Sequence, residues 1–324
     1  MNNEFIKQTT EYIKQFVSDE YEVMNSTTQK NNGVVLHGVS IKNKNERLSP
    51  VFYLDGYEGM EPEVAAQQIV ERYREVKQRE IPFDVDTITD FSKVKEMICY
   101  KLVNLEANKD MLMDMPYDEV AGDIGLIYFL DLGNDATITI KEGMLDLWGV
   151  TAEKLYDYAQ VNTQMRYPAT LRSMAETMVD IMSGGNLQEM KMHFNMANLS
   201  DDEFKKAMAK ELDRDNPIKM YVLQGGKVFG ASALMYDDVM TNVFNEVGGN
   251  YYILPSSIHE LLVIKADCEI SVPELKAMVE EINRSEVSET ERLSDNVFFC
   301  NGKEVIVVDD TFTQQRNTGN YDER

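Results

Sequence analysis

Residues 251–264 read YYILPSSIHELLVI, in which a polar turn separates two apolar runs. Short apolar runs that are rich in β-branched and aromatic residues and bounded by a turn are typical of buried strands. The turn is too short to hold a crossover helix, which parallel neighbours would require. We therefore expect residues 251–254 and 261–265 to pair as antiparallel strands, with the polar residues at the corner between them.

The same mixture of strand pairs and helices extends over the second half of the chain. Gly225-Gly226 and Asn301-Gly302 each lie between two apolar runs, a pattern that predicts hairpins. Serines followed three residues later by glutamate predict capped helices that start at Ser200 and Ser271. Connections this short favour an antiparallel or mixed sheet. The other expected strands are 218–223, 228–234, 297–300 and 304–308, and the expected helices are 200–212, 237–247 and 271–282.

The first half combines the same two kinds of element. An apolar stripe at helical spacing predicts an opening helix over 5–17, and Glu61-Pro62 marks the start of a helix that runs to about residue 79. Asn31-Asn32-Gly33 tolerates positive φ, which predicts a hairpin. The chain is therefore predicted to be α+β, with two lobes of mostly antiparallel or mixed sheets and flanking helices. Further strands are expected over 21–30, 34–41, 50–54, 97–105, 124–132 and 136–140, and further helices over 91–95, 141–148 and 151–165.

The chain is predicted to divide at Ser183-Gly184-Gly185-Asn186 and the weakly patterned residues that follow. Both flanks carry their own helix and strand signals, as separate lobes would. The predicted parts are an N-terminal α+β lobe over 1–183, a linker or arm over 184–199, a C-terminal α+β lobe over 200–312 and a flexible tail over 313–324.

The charge of the chain limits the partners that it can bind. Its 324 residues include 56 Asp and Glu against 32 Lys and Arg, a formal net charge of −24, and 43% of them are hydrophobic, enough for sizeable cores. Such a charge repels a phosphate backbone, and no basic cluster offsets it, so direct nucleic-acid binding is not expected. Residues 101–165 hold 12 acidic and 4 basic side chains, a net of −8, which predicts an acidic face.

The cysteines and the N-terminus predict a cytoplasmic protein. Cys99, Cys268 and Cys300 are far apart, odd in number and placed in apolar runs, which is typical of reduced thiols that serve as small core residues. The N-terminal residues lack a basic region followed by an apolar run. No stretch approaches the ~20 apolar residues of a membrane span. We therefore expect no contact with a membrane.

The polar turn at 255–260 is the strongest candidate site. Ser256, Ser257, His259 and Glu260 supply the residue types of a nucleophile, a base and an orienting carboxylate, which acyl transfer needs. Residues so close in sequence point in divergent directions, and no Gly-x-Ser-x-Gly elbow precedes them. The alternative, which we favour, is a structural turn in which the serine hydroxyls bond to local backbone groups.

No cofactor and no metal is predicted. Three histidines without a Cys-x-x-Cys pair argue against structural zinc, and neither Asp201-Asp202 nor Asp309-Asp310 has the spacing of a calcium loop. Closely spaced methionines either fill gaps in the core, which we favour, or form an adaptable binding surface. These methionines are Met111, Met113 and Met115 in one group and Met190, Met192 and Met196 in another.

Five blocks of sequence carry a resemblance to a known family: NNGVVLHG at 31–38, SPVFYL at 49–54, WGVTAEKL at 148–155, MYVL at 220–223 and ILPSSIHE at 253–260. In this order they resemble an uncharacterised family of Gram-positive gut anaerobes, defined only as a domain of unknown function. The resemblance extends from about Glu4 to Val308. It implies a cytosolic bacterial protein and brings no activity, cofactor or catalytic residue with it.

The sequence therefore predicts a cytoplasmic binding or regulatory protein without catalytic activity, whose partner is an unidentified protein. Two other functions remain open. One is a hydrolase centred on Ser256, Ser257, His259 and Glu260, which requires a third group, distant in sequence, within hydrogen-bond reach of His259. The other is an acidic mimic of nucleic acid that blocks a DNA-binding protein, which requires carboxylates at phosphate-like spacing on one exposed face.

Overall fold

The computed structural model describes residues 1–45, 49–77, 85–133, 136–214, 218–226, 228–309 and 312. These residues combine α-helices with three antiparallel sheets, which confirms the predicted α+β class. The chain forms two compact units, Met1–Val94 and Lys95–Arg324. None of the described helices is both long and apolar enough to cross a membrane. The tail predicted over 313–324 and the turn at Asn134-Asp135 lie outside the described residues.

The first unit packs two long helices on a three-stranded sheet. The opening helix buries Phe5 and Ile13, and the second long helix buries Ile69 and Tyr73 in the same core. Asn32 has a φ of 59°, and the strands on either side of it pair antiparallel, which confirms the predicted hairpin. The elements are α1 (Asn3–Phe16), β1 (Tyr21–Gln29), β2 (Val35–Asn43), β3 (Val51–Tyr53), α2 (Pro62–Lys77) and α3 (Phe91–Val94), and the strand order is β1-β2-β3.

The second unit holds two sheets and the remaining helices. Its first elements are β4 (Ile98–Asn104), α4 (Lys109–Leu112), β5 (Tyr117–Ala121), β6 (Ile124–Gly133), β7 (Ala136–Thr139), α5 (Glu142–Trp148), α6 (Ala152–Arg166), β8 (Ala169–Ser173), α7 (Met174–Ser183) and α8 (Leu187–His193). They are followed by α9 (Asp201–Leu212), β9 (Met220–Gly225), α10 (Val239–Val247), β10 (Tyr251–Leu254), β11 (Leu261–Lys265), α11 (Val272–Ser285), β12 (Val297–Cys300) and β13 (Val305–Val308).

The larger sheet has the strand order β13-β12-β10-β11-β9-β8, and in the smaller sheet β6 pairs with β4, β5 and β7. Strands β10 and β11 pair antiparallel, as residues 251–264 predict. Helix α11 shares one core with the larger sheet, in which Leu275 and Val279 lie with Tyr252 and Phe299. Burial of each such side chain stabilises the fold by about 1.5–3 kcal/mol. This core fixes the strands that flank the polar turn.

Both predicted capping boxes are present. The hydroxyl of Ser200 accepts the N–H of Glu203, whose carboxylate accepts the N–H of Ser200, and Ser271 and Glu274 make the same pair of bonds. The hydrogen bonds from these serines lower the pKa of both glutamates, because they stabilise the carboxylate form. Helices α9 and α11 therefore begin where the sequence predicts.

The hairpin predicted around Gly225-Gly226 is wrong. Residues Gly230–Met235 form a 3-10 helix instead of a strand that pairs with β9. Both edges of β9 are already paired, with β8 on one side and β11 on the other. The pairing with β8 joins Thr170 to Gln224, which are 54 positions apart, so local sequence patterns give no sign of it.

The segment predicted as a linker or arm, 184–199, lies within the second unit. It contains α8, and its Met190 and Met196 pack against a small core around Val179 and Phe204. The division of the chain at this segment stays a prediction. Limited proteolysis tests it: the first cuts are expected within 184–199, and early cuts elsewhere with this segment intact would contradict it.

Candidate functional site at the His259 turn

The polar turn between β10 and β11 is anchored by a later segment of the chain. The N–H of Ile258 donates to the carbonyl of Glu291 at 2.9 Å, and the N–H of Leu293 donates to the carbonyl of Ser256 at 3.2 Å. These bonds satisfy backbone groups of a turn in which Ser256 is buried. The conformation of the turn therefore depends on residues that the sequence gives no reason to place beside it.

Both ring nitrogens of His259 have partners. The N–H of Phe229 donates to Nδ1 at 3.3 Å, and Nε2 lies 3.4 Å from Oε1 of Glu291. A nitrogen that accepts a hydrogen bond carries no proton, so in the neutral ring the proton is on Nε2 and faces the Glu291 carboxylate. The ring also stacks on Phe229, with centroids 6.2 Å apart and planes inclined by 14°. The orientation of the imidazole is therefore fixed by Phe229 and Glu291.

The hydroxyl of Ser257 is used by the backbone of the turn. The hydroxyl of Ser257 accepts the N–H of His259 at 3.0 Å, and Ser256 is buried. The carboxylate beside the imidazole is that of Glu291, whereas the sequence suggests Glu260. A hydroxyl nucleophile needs an imidazole nitrogen with an available lone pair, and Phe229 occupies the lone pair of Nδ1. In this arrangement the imidazole is not placed to accept a proton from either serine.

Phe229 is a part of this site that sequence reasoning misses. Its φ is 57°, a left-handed conformation that is uncommon for residues other than glycine. Its ring contacts Phe129 edge to face at 5.4 Å between centroids, and Nζ of Lys101 lies 4.3 Å from its centroid. An aromatic face attracts a cation electrostatically. The turn thus belongs to a cluster of an imidazole, a phenyl ring and an ammonium group, drawn from distant parts of the chain.

His259→Ala is expected to lower the free energy of unfolding by about 1–3 kcal/mol, because the N–H of Phe229 loses its acceptor. Glu291→Gln is the matched control. Its amide oxygen still accepts from Nε2, so we expect a change below about 0.5 kcal/mol. Urea denaturation measures both variants. An esterase, amidase or phosphatase activity that is lost in His259→Ala or Ser257→Ala at unchanged stability would contradict this structural role.

Two of the three cysteines are poorly suited to nucleophilic chemistry. All three are free thiols; Cys99 and Cys300 are buried, and Cys268 is partly exposed. Burial raises the pKa of Cys99 to about 12 and also raises that of Cys300, because a thiolate is poorly solvated in the core. Both therefore stay protonated near neutral pH, where only a thiolate would react.

Thiol titration tests whether all three cysteines are reduced. At about pH 8, a thiol reagent is expected to modify Cys268 quickly and Cys99 and Cys300 slowly, since the raised pKa and burial of the latter two suppress their thiolates. The denatured protein, handled without reductant, should yield three thiols. A lower number, with an intramolecular disulfide found by peptide mapping, would contradict the prediction of a cytoplasmic protein.

The described part of the chain contains no group of three His, Cys, Asp or Glu side chains that could hold a metal ion. Asp201 accepts from Nζ of Lys191 at 3.0 Å and from the Gln188 amide at 3.1 Å, at the start of α9. Asp310 lies outside the described residues. The carboxylate of Asp201 thus joins the start of α9 to α8.

The acidic stretch 101–165 is partly neutralised by ion pairs. Lys141 lies 3.3 Å from Asp114, and Arg166 lies 3.1 Å from Asp131. Asp131 is buried and also accepts the hydroxyl of Tyr167 at 2.8 Å. Mimicry of nucleic acid requires exposed carboxylates at phosphate-like spacing, and Asp131 is not available for that role.

A second candidate surface is formed by Met178, Ile181 and Met182, which we call the α7 face. These side chains are 49%, 73% and 59% exposed, and their spacing places them on one side of α7. The other side of the helix is fixed, since Val179 is fully buried beside Phe204. The sequence shows no tight methionine group here, since Met178 and Met182 are four residues apart. Of the closely spaced methionines, Met115 is buried, Met111, Met190 and Met196 pack partly into cores, and Met113 and Met192 are exposed.

Comparison with known proteins identifies a family but no activity. Residues 2–301 match the model of a family of unknown function, DUF5688. This confirms the relationship to a domain of unknown function that the five sequence blocks predict, while an origin in gut anaerobes stays a prediction. No curated protein and no solved structure matches the chain. Its function must therefore be inferred from its own residues.

Proposed function

The chain belongs to the DUF5688 family of unknown function, and from its geometry we propose that it is a cytoplasmic, non-catalytic protein that binds a basic helical segment of a protein partner. The observation that carries this proposal is the α7 face. Three large apolar side chains stay exposed there on a helix whose opposite side is buried. Helices pack on one another through apolar side chains at this spacing, and methionine adapts its shape to its partner.

The charge around the α7 face favours a basic partner. Residues 172–206 contain six acidic and four basic side chains, a formal net charge of −2 with the histidine neutral. Lys191 is buried and paired with Asp201, and Asp180 of α7 is paired with Arg172 and Lys205, so the remaining carboxylates set the sign of the charge at this surface. A second copy of the chain would add another −24, and an anionic membrane is negative as well. Both are disfavoured, whereas a positively charged helix is attracted.

The geometry of His259 supports a role without catalysis. Its Nδ1 accepts from Phe229 and its Nε2 faces Glu291, so the imidazole serves the structure of the turn. The two buried cysteines stay protonated, so neither supplies the thiolate that nucleophilic catalysis would need. Free thiols at all three cysteines also support a reducing compartment such as the cytoplasm.

The proposal is tested with two synthetic peptides. The Lys peptide is an amphipathic helix of leucine and lysine, and the Glu peptide has glutamate in place of every lysine. Isothermal titration is expected to detect binding of the Lys peptide, weakened by added salt, because charge attraction contributes to it. The Glu peptide should not bind, since it repels the acidic surface.

One triple variant and one double variant locate the binding. Replacement of Met178, Ile181 and Met182 by glutamine is expected to weaken binding of the Lys peptide at least about tenfold, because the apolar contact is lost. The matched control is Val161→Gln with Met165→Gln on α6, whose side chains are 65% and 69% exposed. It should bind as the wild type does. Equal affinity in both variants, or equal affinity for both peptides, would contradict the proposal.

A further inference from the structure

A cleft of about 420 Å³ opens in the first unit, where the C-terminal ends of α1 and α2 meet the start of β1. Its volume lies within the range of roughly 300–1,000 Å³ that small-molecule sites occupy. It shares no residue with the α7 face, which belongs to the other unit. The cleft therefore offers a second site, of a different kind.

Aromatic side chains form the walls of this cleft. The rings of Tyr21 and Tyr73 meet edge to face, with centroids 5.7 Å apart and planes inclined by 84°. Tyr73 is buried and its ring also contacts Phe52, so its position is fixed by the core. Phe16, Val17 and Val70 complete the apolar lining. Tyr73 thereby supports the half-buried ring of Tyr21, on which a flat apolar group can pack.

The charged groups of the cleft are cations. Nζ of Lys77 donates to the hydroxyl of Tyr21 at 3.0 Å and lies 4.9 Å from the centroid of that ring, and Arg74 also lines the cleft. Among the described residues that line it, none carries a carboxylate. The described lining is therefore positively charged, in a chain with 56 acidic and 32 basic residues. A ligand with a negative group is therefore favoured here.

The positive charge of Lys77 changes the pKa of the Tyr21 phenol. The hydrogen bond from Lys77 lowers the pKa of Tyr21, because the ammonium group stabilises the phenolate. Cations in the last turn of α2 also offset the helix dipole, which accounts for Arg74 and Lys77 being there. That role does not require the bond to Tyr21 or the aromatic walls around it.

We infer that this cleft binds a small aromatic anion, whose ring packs against Tyr21 and Phe16 and whose negative group pairs with Lys77 and Arg74. A carboxylate, a sulfonate or a phosphate ester on an aromatic ring has this chemistry. The inference stands apart from the proposed recognition of a basic helix, because it concerns other residues and a ligand of opposite charge.

Two fluorescent probes with the same rings test the inference. One is 1-anilinonaphthalene-8-sulfonate, and the other is N-phenyl-1-naphthylamine, which lacks the sulfonate. The sulfonate probe is expected to bind the full chain about tenfold more tightly than the neutral probe, since only the former meets the two cations. Arg74→Gln with Lys77→Gln should remove this preference. Arg72→Gln, on the exposed side of the same helix and paired with Glu75, is the matched control and should keep it.

A second readout reports on Tyr21 itself. The bound sulfonate neutralises Lys77, so the pKa of Tyr21 should rise when the probe is present, measured by tyrosinate absorbance with Tyr21→Phe as the reference. By linkage, affinity for the sulfonate probe should fall as pH rises through the pKa of Tyr21, because the phenolate repels the anion.

The inference would be overturned by equal affinity for the two probes, by an unchanged preference in the Arg74→Gln/Lys77→Gln variant, or by an unchanged pKa of Tyr21 at saturation. Probe binding that is lost in the triple glutamine variant of the α7 face, yet kept in the cleft variant, would place the probe on α7 and would also overturn it.

Discussion

Gly230→Ala is expected to destabilise the protein by about 3 kcal/mol, because the added methyl group would clash with backbone atoms. A Cβ at this position would lie 2.3 Å from the carbonyl oxygen of His259 and 3.0 Å from the nitrogen of Gly225. Both atoms belong to the backbone, so no side-chain rotation relieves the contact. The loop that carries Phe229 must shift, and the hydrogen bond from Phe229 to His259 is lost with it. Urea denaturation measures the change.

Gly143→Ala is the control for this prediction. Gly143 lies in α5, and a Cβ there meets nothing within 4 Å. Alanine has the higher helix propensity, so this variant should be neutral or more stable by up to about 1 kcal/mol. If Gly230→Ala were as stable as Gly143→Ala, the close packing of the loop on the His259 turn would be refuted.

Phe204→Ala is expected to cost about 3–5 kcal/mol, because it removes a fully buried ring from the small core under α7 and α9. Val179, on the buried side of α7, packs in the same core. Loss of the ring should therefore loosen α7 and weaken binding of the Lys peptide as well. Denaturation and titration of the same variant measure both effects.

Leu212→Ala provides the comparison on the same helix. Leu212 ends α9 and is 38% exposed, so its truncation should cost less than about 1 kcal/mol and leave peptide binding unchanged. If the Phe204→Ala protein kept full stability, or were destabilised yet bound the peptide normally, this core would not be what holds the α7 face in place.

Local signals in the sequence predict much of this fold because they depend on residues a few positions apart. The capping boxes at Ser200 and Ser271 form as predicted, since each needs only a serine and a glutamate three residues later. The hairpin around Asn32 forms because this residue adopts the positive φ that the turn requires. The pairing of β10 with β11 follows from their short connection.

Features that depend on distant residues are those that sequence reasoning misses. Strand β8 occupies the edge of β9 that the predicted hairpin would need. The two strands are separated in the sequence by α7, α8 and α9. The carboxylate beside His259 comes from Glu291, and the ring beside it comes from Phe229. No pattern within a few residues of His259 points to either partner. The turn could therefore be located from the sequence, whereas its surroundings could not.

The most direct test that the α7 face is the binding surface is amide hydrogen exchange, measured with and without saturating Lys peptide. Bound peptide is expected to slow exchange in Met174–Ser183, with no change in Ala152–Arg166, the helix that carries the exposed control residues Val161 and Met165. Slower exchange at α6 or at the His259 turn, with α7 unaffected, would contradict the account.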